Sequence, residues 1–213
     1  QARLALTETG RSVTFPRMPD PIQIPPHIRA LLFDCDGTLV DTMPLHWQAE
    51  LATLRELGIE VAPDWLAGNR GATMSDVIAA ISRHTGRAID AEAFIACKQV
   101  RFRELLPSAR EITVVADLAR AHFGRLPMGV VSGGYRGNVM ASLEAIGLAR
   151  HFSVVLTAED PFPGKPAPDS FLAAARKLGV PPEHCQVFED GDLGLAAARA
   201  AGMLATDIRP WLV

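Results

Sequence analysis

The chain has 213 residues, of which 48% are hydrophobic and 21% are charged, and its formal net charge is −3. These values are typical of a globular protein that buries a core, as one domain or as a domain with a small insert. They exclude a strongly basic nucleic-acid-binding surface, and no apolar run reaches the roughly 18 residues of a membrane span. Three well-separated cysteines and the lack of a signal-peptide pattern predict reduced thiols and a cytoplasmic protein.

The first 27 residues are rich in proline, which predicts an N-terminal arm without a helix or a central strand. Within this arm, the alternation in Ile22-Gln23-Ile24 predicts an extended piece that lies on the body of the protein. The first buried strand is predicted over Arg29–Phe33.

Residues 44–108 predict several helices with no strand between them. Apolar residues recur there at helical spacing, over Leu45–Leu57, Pro63–Leu66, Ser75–Ile81 and Asp90–Leu106. We therefore predict a helical cap domain over 44–108, inserted into an α/β domain that is formed by 28–43 and 109–213.

After residue 108, helices and strands alternate along the chain. The predicted helices cover Glu111–Phe123, Arg136–Ile146, 167–178 and 192–201. The predicted strands cover Met128–Val131, Val154–Thr157, Gln186–Phe188 and Leu204–Ile208. This alternation implies a doubly wound, parallel, Rossmann-like α/β sheet, in which ligands bind off the carboxyl ends of the strands.

The first predicted strand delivers two carboxylates to that edge of the sheet. Asp34 and Asp36 are two positions apart, so they point to the same side, and Cys35 points to the other. Two crowded, buried carboxylates repel each other, so the pair needs a cation beside it or a proton on one member. This arrangement is unfavourable for stability and indicates chemistry on a charged substrate.

Polar groups also follow the later strands. Ser132-Gly133-Gly134 could form a small phosphate nest or an ordinary turn. Lys165 stands between a glycine and a proline, which predicts a stiff platform, although a solvated lysine is the simpler interpretation. The pair Glu189-Asp190 adds acids, and a helix N-terminus alone would also explain them.

Taken in order, these segments resemble the four motifs of the haloacid dehalogenase superfamily. Asp34-Cys35-Asp36-Gly37-Thr38 is similar to the first motif, Ser132 to the second and Lys165 to the third. Phe188-Glu189-Asp190-Gly191-Asp192 is similar to the fourth, with Gly191 where a serine is usual. The helical insert resembles the cap of the β-phosphoglucomutase-like and phosphatase subgroup, and within it the chain most resembles phosphatases of the fructose-1-phosphate or 6-phosphogluconate kind.

The resemblance implies a Mg²⁺-dependent phosphatase. Asp34 would be the nucleophile that becomes phosphorylated, and Asp36 the general acid and base, so Asp34 should be ionised and Asp36 protonated. Mg²⁺ would be held by Asp34, the carbonyl of Asp36 and Asp190, with Glu189 as a further ligand or as a partner of the ligands. The phosphate oxygens would be held by the following groups: Ser132, Lys165, Thr38 and the backbone of Gly37, Gly133 and Gly134.

Predictions for the cap are less specific. Thr42 at the hinge, His46 in the first cap helix, and Asn69 and Arg70 in the cap loop 68–73 are candidate substrate contacts, with packing or surface roles as the alternative. The expected partner is a small phosphorylated metabolite, with no nucleic acid or membrane, and a monomer is the default expectation. A phosphomutase and a non-catalytic phospho-ligand-binding protein are the alternatives, but Met74 stands where a mutase would be expected to have arginine.

Overall fold

The computed structural model describes residues 20–67 and 74–212, together with two short strands, β1 (Ala5–Leu6) and β2 (Ser12–Val13). β1 and β2 pair with each other in an antiparallel ribbon that is separate from the main sheet. The predicted absence of a central strand from the arm is therefore consistent with the part of it that is described. The predicted extended piece is confirmed, because Ile22 and Ile24 pack on the core and the Gln186 side chain donates to the Gln23 carbonyl at 3.1 Å.

A parallel sheet forms the centre of the fold. The strands after the arm are β3 (Ala30–Phe33), β4 (Val40–Asp41), β5 (Arg110–Glu111), β6 (Met128–Val131), β7 (Val154–Leu156), β8 (Cys185–Glu189) and β9 (Leu204–Asp207). Five of them form one parallel sheet in the order β7-β6-β3-β8-β9. The predicted doubly wound α/β sheet is confirmed, and the direction of winding changes at β3.

Helices connect the strands and form a second region between β4 and β5. The helices are α1 (Met43–Glu56), α2 (Pro63–Ala67), α3 (Met74–Thr85), α4 (Ala91–Leu105), α5 (Thr113–His122), α6 (Arg136–Ala145), α7 (Asp169–Leu178) and α8 (Asp192–Ala200). Short 3₁₀ turns lie at Leu106–Ser108, Ala149–His151, Pro182–His184 and Arg209–Trp211. Across residues 20–67 and 74–212, none of the helices has the length and apolar character that crossing a bilayer requires.

The central strand β3 contributes to the core on both faces of the sheet. Leu31 and Phe33 enter one hydrophobic cluster with residues of α5 and α6, whereas Ala30 and Leu32 enter another with residues of α7 and α8. Cys35 continues the first face, as the strand alternation requires. Each fully buried large side chain here contributes about 1.5–3 kcal/mol, so the core fixes the direction in which the residues after Phe33 leave the sheet.

Helices α1–α4 have hydrophobic clusters of their own. Leu54, Ile81 and Phe94 belong to one of them, and Leu45 and Phe102 belong to a second that joins α1 to α4. Because α1 to α4 bury apolar residues largely against one another, the structure supports the idea of a helical cap. The domain division at 43/44 and 108/109 stays a prediction.

The two chain segments that connect the sheet to helices α1–α4 pair as a small β-ribbon, which the sequence did not predict. β4 and β5 pair antiparallel, with Val40 opposite Glu111 and Asp41 opposite Arg110. The helix predicted to start at Glu111 therefore starts at Thr113. A strand of two residues has too short a pattern to be read from sequence, and its pairing depends on a partner about 70 residues away.

Candidate active site

The carboxyl ends of β3, β6 and β8 meet at one edge of the sheet. Phe33 is in register with Val130 on one side and Phe188 on the other, and the Asp34 N–H donates to the Phe188 carbonyl at 3.0 Å. Asp34 and Glu189 consequently leave neighbouring strands at the same level. This register brings the first and fourth predicted motifs together.

Lys165 lies at the centre of this edge. Its Nζ donates to Asp34 Oδ1 at 2.6 Å, to Glu189 Oε1 at 2.5 Å and to the Val131 carbonyl at 2.9 Å. The ring of Phe171 lies 5.4 Å from the same nitrogen. Burial alone would lower the pKa of Lys165, but the charges of Asp34 and Glu189 outweigh it and raise that pKa. The interpretation of Lys165 as a solvated surface lysine is therefore wrong.

Three carboxylates cluster around this lysine. One oxygen from each of Asp34, Glu189 and Asp190 lies within 4.8 Å of the others. Burial, together with repulsion from the neighbouring acids, raises the pKa of each, and Lys165 offsets part of the effect. Three acids facing one ammonium leave excess negative charge, and hard carboxylate oxygens are the ligands that Mg²⁺ prefers. The residues present therefore fit a divalent cation.

Asp190 lies against the turn that follows the first motif. The Thr38 hydroxyl is fully buried and donates to Asp190 Oδ1 at 2.8 Å. Gly37 has a φ of +84°, and a Cβ at this position would lie 2.5 Å from Asp190 Oδ2. Only glycine meets both conditions without strain, so the Gly37–Thr38 turn holds the Asp190 carboxylate in place.

Glu189 is held in a similar way by a glycine on α8. A Cβ at Gly194 would lie 1.8 Å from Glu189 Oε1, and the other carboxylate oxygen accepts from the Gly191 N–H at 3.2 Å. The Glu189 side chain is also fixed by Lys165 and is 3% exposed. It therefore cannot move away without breaking these bonds.

We predict that Gly194→Ala lowers phosphatase kcat/KM by about 10–100-fold, because the added methyl displaces Glu189 from the acidic cluster. Gly137→Ala on α6 is the matched control, since a Cβ there has Arg103 Nη1 at 3.9 Å as its nearest neighbour. Both changes favour the helix by the same 0.5–1 kcal/mol or so. Steady-state kinetics and melting temperatures of the two variants test the prediction, and equal activities would contradict it.

Asp36 has a different set of neighbours from Asp34. Its Oδ1 accepts from the Thr42 hydroxyl at 2.6 Å and lies 3.4 Å from His46 Nε2, and its Oδ2 lies 3.5 Å from the Ser132 hydroxyl. Burial raises the pKa of Asp36. The hydrogen bond and charge of His46 and the hydrogen bond from Thr42 lower it by more, so the pKa lies below its ordinary value. His46 is itself stacked on Phe102, with ring centroids 4.0 Å apart.

The two aspartates therefore have pKa shifts opposite to the predicted protonation. The catalytic roles require an ionised Asp34 and a protonated Asp36, whereas the pKa of Asp34 is raised and that of Asp36 is lowered. The reason is local, because Asp34 is buried among acids and Asp36 is surrounded by hydrogen-bond donors. Sequence spacing could not distinguish these environments.

The second motif forms a compact turn beside Asp36. The Gly134 N–H donates to the Ser132 hydroxyl oxygen at 3.0 Å, and the Ala158 N–H donates to the Gly134 carbonyl at 3.0 Å. Gly133 is exposed, and a Cβ there would meet nothing within 4 Å. Open space at Gly133 leaves room for an anion, while the Gly134 N–H already has a partner.

A cleft of about 400 Å³ opens above these groups, a size that suits a small metabolite. Asp34, Asp36 and Ser132 lie on the sheet side, and residues of α1, α3 and α4 line the other side. Asn69 and Arg70, predicted to contact substrate, lie outside the described residues. Sequence reasoning missed Glu50 and Lys98, which also line the cleft. Their signal was their spacing of four residues from His46 and Phe102, which places each pair on one helix face.

These features define the class of protein as an α/β protein with an acidic, lysine-bridged site at the carboxyl edge of a parallel sheet. The haloacid dehalogenase-like hydrolase family matches residues 28–202, and the chain belongs to this family.

Relatives and solved structures agree with this assignment. The chain is 36% identical over 179 residues to fructose-1-phosphate phosphatase YqaB of Escherichia coli, covering 84% of this chain and 95% of that protein. A crystal structure of CbbY from Rhodobacter sphaeroides in complex with phosphate superposes with a TM-score of 0.73 at 29% identity, covering 84% of each chain. A family IA hydrolase from Entamoeba histolytica gives a TM-score of 0.75 at 28% identity, covering 87% of this chain and 86% of that one. The predicted enzyme class, a phosphatase of this family, is confirmed.

Proposed function

We propose that the protein is a Mg²⁺-dependent phosphatase that hydrolyses a small phosphorylated sugar or polyol through an aspartyl-phosphate on Asp34. The observation that carries this proposal is the Lys165 ammonium, 2.6 Å from Asp34 and bonded also to Glu189. A lysine in this position orients the Asp34 carboxylate and offsets part of the charge that a phosphate dianion brings.

Asp34 and Asp36 divide the chemistry between them. An oxygen of Asp34 bonds to phosphorus while the bond from phosphorus to the ester oxygen breaks, and Asp36 gives its proton to the leaving alkoxide. Water then attacks the phosphorus of the aspartyl-phosphate and its proton passes to Asp36. Inorganic phosphate leaves, and the Asp34 carboxylate is regenerated.

The acidic cluster is the proposed metal site. Asp34, Glu189 and Asp190, with the carbonyl oxygen of Asp36, would hold Mg²⁺. When bound, Mg²⁺ supplies positive charge that favours the ionised form of Asp34 and stabilises the transferring phosphoryl group. A phosphate dianion beside Asp36 favours its protonated form. Both effects move the aspartates from the pKa directions of the substrate-free protein towards those that the roles require.

The remaining motif residues are proposed to hold the phosphate and to position the acid. The Ser132 hydroxyl and the Gly133 N–H would donate to phosphate oxygens. The other predicted donors already have acceptors within the protein: the Thr38 hydroxyl donates to Asp190, the Gly37 N–H to the Val40 carbonyl and the Gly134 N–H to the Ser132 hydroxyl oxygen. Thr42 and His46 are proposed to position Asp36, because both contact its Oδ1. Asn69 and Arg70 are proposed sugar contacts.

Hydrolysis is favoured over phosphoryl transfer within a sugar by the character of the cleft. Met74 lines it at a position where a mutase would be expected to have arginine for a second phosphate, and the charge of the neighbouring Lys98 is countered by Glu50. The similarity to a fructose-1-phosphate phosphatase supports a sugar phosphate as substrate. We propose fructose 1-phosphate or 6-phosphogluconate among the better substrates, acted on by a cytoplasmic monomer.

The direct test is hydrolysis of p-nitrophenyl phosphate and a panel of sugar phosphates by protein treated with EDTA and then supplied with Mg²⁺. We expect Mg²⁺ to raise turnover by about 100-fold or more, equivalent to about 3 kcal/mol of transition-state stabilisation. Fructose 1-phosphate should be hydrolysed faster than nucleoside monophosphates.

Three outcomes would count against the proposal. Turnover that is insensitive to EDTA would contradict the proposed dependence on Mg²⁺. A preference for nucleotides would contradict a sugar phosphate as the substrate. Formation of a sugar bisphosphate or a positional isomer, in place of inorganic phosphate, would identify a mutase.

A further inference from the structure

Helices α1 and α4 lie side by side above Asp36 and present two successive layers of paired side chains. In the lower layer, His46 of α1 stacks on Phe102 of α4. Glu50, four residues after His46 in α1, and Lys98, four residues before Phe102 in α4, form the upper layer, with Lys98 Nζ 3.5 Å from Glu50 Oε2. Four residues correspond to roughly 6 Å along a helix axis, so the upper pair lies about one turn away from His46, which contacts Asp36.

The upper pair is buried, but it also lines the cleft. Glu50 is 5% exposed and Lys98 is 8% exposed, and both border the cavity that contains Asp34 and Asp36. Charged residues are rarely this buried unless they are paired or functional. Lys98 is one of only three lysines in the sequence, so its place in this wall is a specific feature of the chain.

The hydrogen bonding of the pair is incomplete. Glu50 Oε1 is buried and has no hydrogen-bond partner among the described residues. Lys98 has Met74 Sδ as a further contact at 3.8 Å, and a thioether is a weak acceptor. An unsatisfied buried acceptor beside an ammonium with spare donors is the arrangement that a ligand with hydroxyl groups completes, because a hydroxyl both donates and accepts.

Accepting the proposed phosphatase activity, we infer that Glu50 and Lys98 form a specificity subsite for the leaving group. The subsite selects substrates whose far end has neutral, adjacent hydroxyls and disfavours a second phosphate or a carboxylate. One hydroxyl donates to Glu50 Oε1 while its neighbour accepts from Lys98. The pair has no net charge, so an anionic group attracted to Lys98 is repelled by Glu50 and loses its hydration without full compensation.

The distances between the layers agree with this assignment. The phosphate binds between Asp34 and Ser132, and Asp36 protonates the ester oxygen beside the His46 layer. A layer roughly 6 Å along the helices from His46 reaches hydroxyls a few bonds beyond that oxygen, as in a five- or six-carbon sugar. A subsite of this kind favours fructose 1-phosphate, whose far end is neutral, over 6-phosphogluconate, which has a carboxylate.

The test compares kcat/KM for three substrates with the same number of carbons: a hexose monophosphate, the corresponding aldonic acid phosphate and a hexose bisphosphate. For the parent enzyme we expect the hexose monophosphate to be preferred. Glu50→Gln leaves the Lys98 charge without its counter-charge. The ratio of kcat/KM for the hexose monophosphate to kcat/KM for the two substrates with an anionic far end should therefore fall by about tenfold or more. Lys98→Met leaves the Glu50 charge, so anion-ended substrates should become poorer still and an amino-sugar phosphate better.

Glu56→Gln is the matched control. Glu56 lies on the same helix and pairs with an α4 cation, Arg101, but both side chains are more than a third exposed and neither lines the cleft as described. Its substrate ratio should equal that of the parent. Because Arg70 is outside the described residues, the readout is the change between variants and not the absolute preference.

The outcomes separate this inference from the proposed function. If the parent hydrolyses p-nitrophenyl phosphate with Mg²⁺ and both Glu50→Gln and Lys98→Met keep its substrate ratio, the subsite is overturned and the phosphatase stands. If no substrate is turned over, the proposed function fails and the subsite fails with it. Circular dichroism checks the fold, and should Glu50→Gln not fold, the opposite shift expected for Lys98→Met decides the matter.

Discussion

Replacing Asp34 with asparagine is expected to abolish turnover while leaving the protein folded. The change removes the oxygen nucleophile at nearly constant shape, so kcat should fall by about 10⁴-fold or more, as it does when a nucleophile is removed from other enzymes. Stability should be kept or raised. Burial raises the pKa of the Asp34 carboxyl, so its ionised form is unfavourable in the fold, and Lys165 keeps Glu189 as a partner.

Kinetics with p-nitrophenyl phosphate and thermal melts of the metal-free protein measure the two effects. Mass spectrometry of acid-quenched reactions should detect a phosphorylated protein in the parent and none in Asp34→Asn. Asp117→Asn, a substitution of an exposed carboxylate paired with Arg120 on α5, is the control and should behave as the parent. An Asp34→Asn enzyme within tenfold of parental kcat would assign the nucleophile to another residue.

Removing the charge of Lys165 is expected to lower both activity and stability. In Lys165→Met, the Asp34 and Glu189 carboxylates lose the buried ammonium that both contact, at 2.6 and 2.5 Å. Breaking a buried ion pair from one side costs about 3–5 kcal/mol, which we expect as the fall in the free energy of unfolding of the metal-free protein. We expect kcat to fall by about 10³-fold, because the lysine also stabilises the transferring phosphoryl group.

The pH dependence of this destabilisation has a definite sign. The folded-state pKa values of Asp34 and Glu189 lie above their ordinary values, so these groups favour the fold when protonated and disfavour it as pH rises through the raised values. Without Lys165, the fall in stability with rising pH is larger. The melting temperature of Lys165→Met should therefore be closer to that of the parent at about pH 5 than at about pH 8.

Lys177→Met, at an exposed position of α7, tests whether loss of any lysine has the same effect, and its melting temperature should match the parent at both pH values. If the Lys165→Met protein is as stable as the parent at about pH 8, the fold does not need this cation to hold the ionised carboxylates.

Much of the sheet and of its catalytic edge was predictable from sequence. The alternation of apolar strands and amphipathic helices predicted parallel pairing, and parallel strands bring their carboxyl ends to one edge whatever their order. Asp34, Ser132, Lys165 and Glu189 follow successive predicted strands, so their convergence followed from the fold class. The family resemblance then supplied roles, which remain proposals for experiment.

The environment of each group was not predictable. Asp34 and Asp36 are equivalent in the sequence, yet one lies among Glu189, Asp190 and Lys165 and the other is bonded to Thr42 and His46. The raised pKa of the first and the lowered pKa of the second depend on these neighbours, several of which are distant in the chain.

The sequence by itself determined the α/β alternation, the residues at the strand ends and hence the kind of chemistry that they support, because strand and helix periodicity are local properties. The tertiary structure alone decided which charges meet. The pairing of Glu50 with Lys98, the hydrogen bond from Thr38 to Asp190 and the β4–β5 ribbon each join segments that are distant in the chain. Electrostatic energies depend on distance and burial in space, and one chain's sequence gives neither for residues that lie far apart along it.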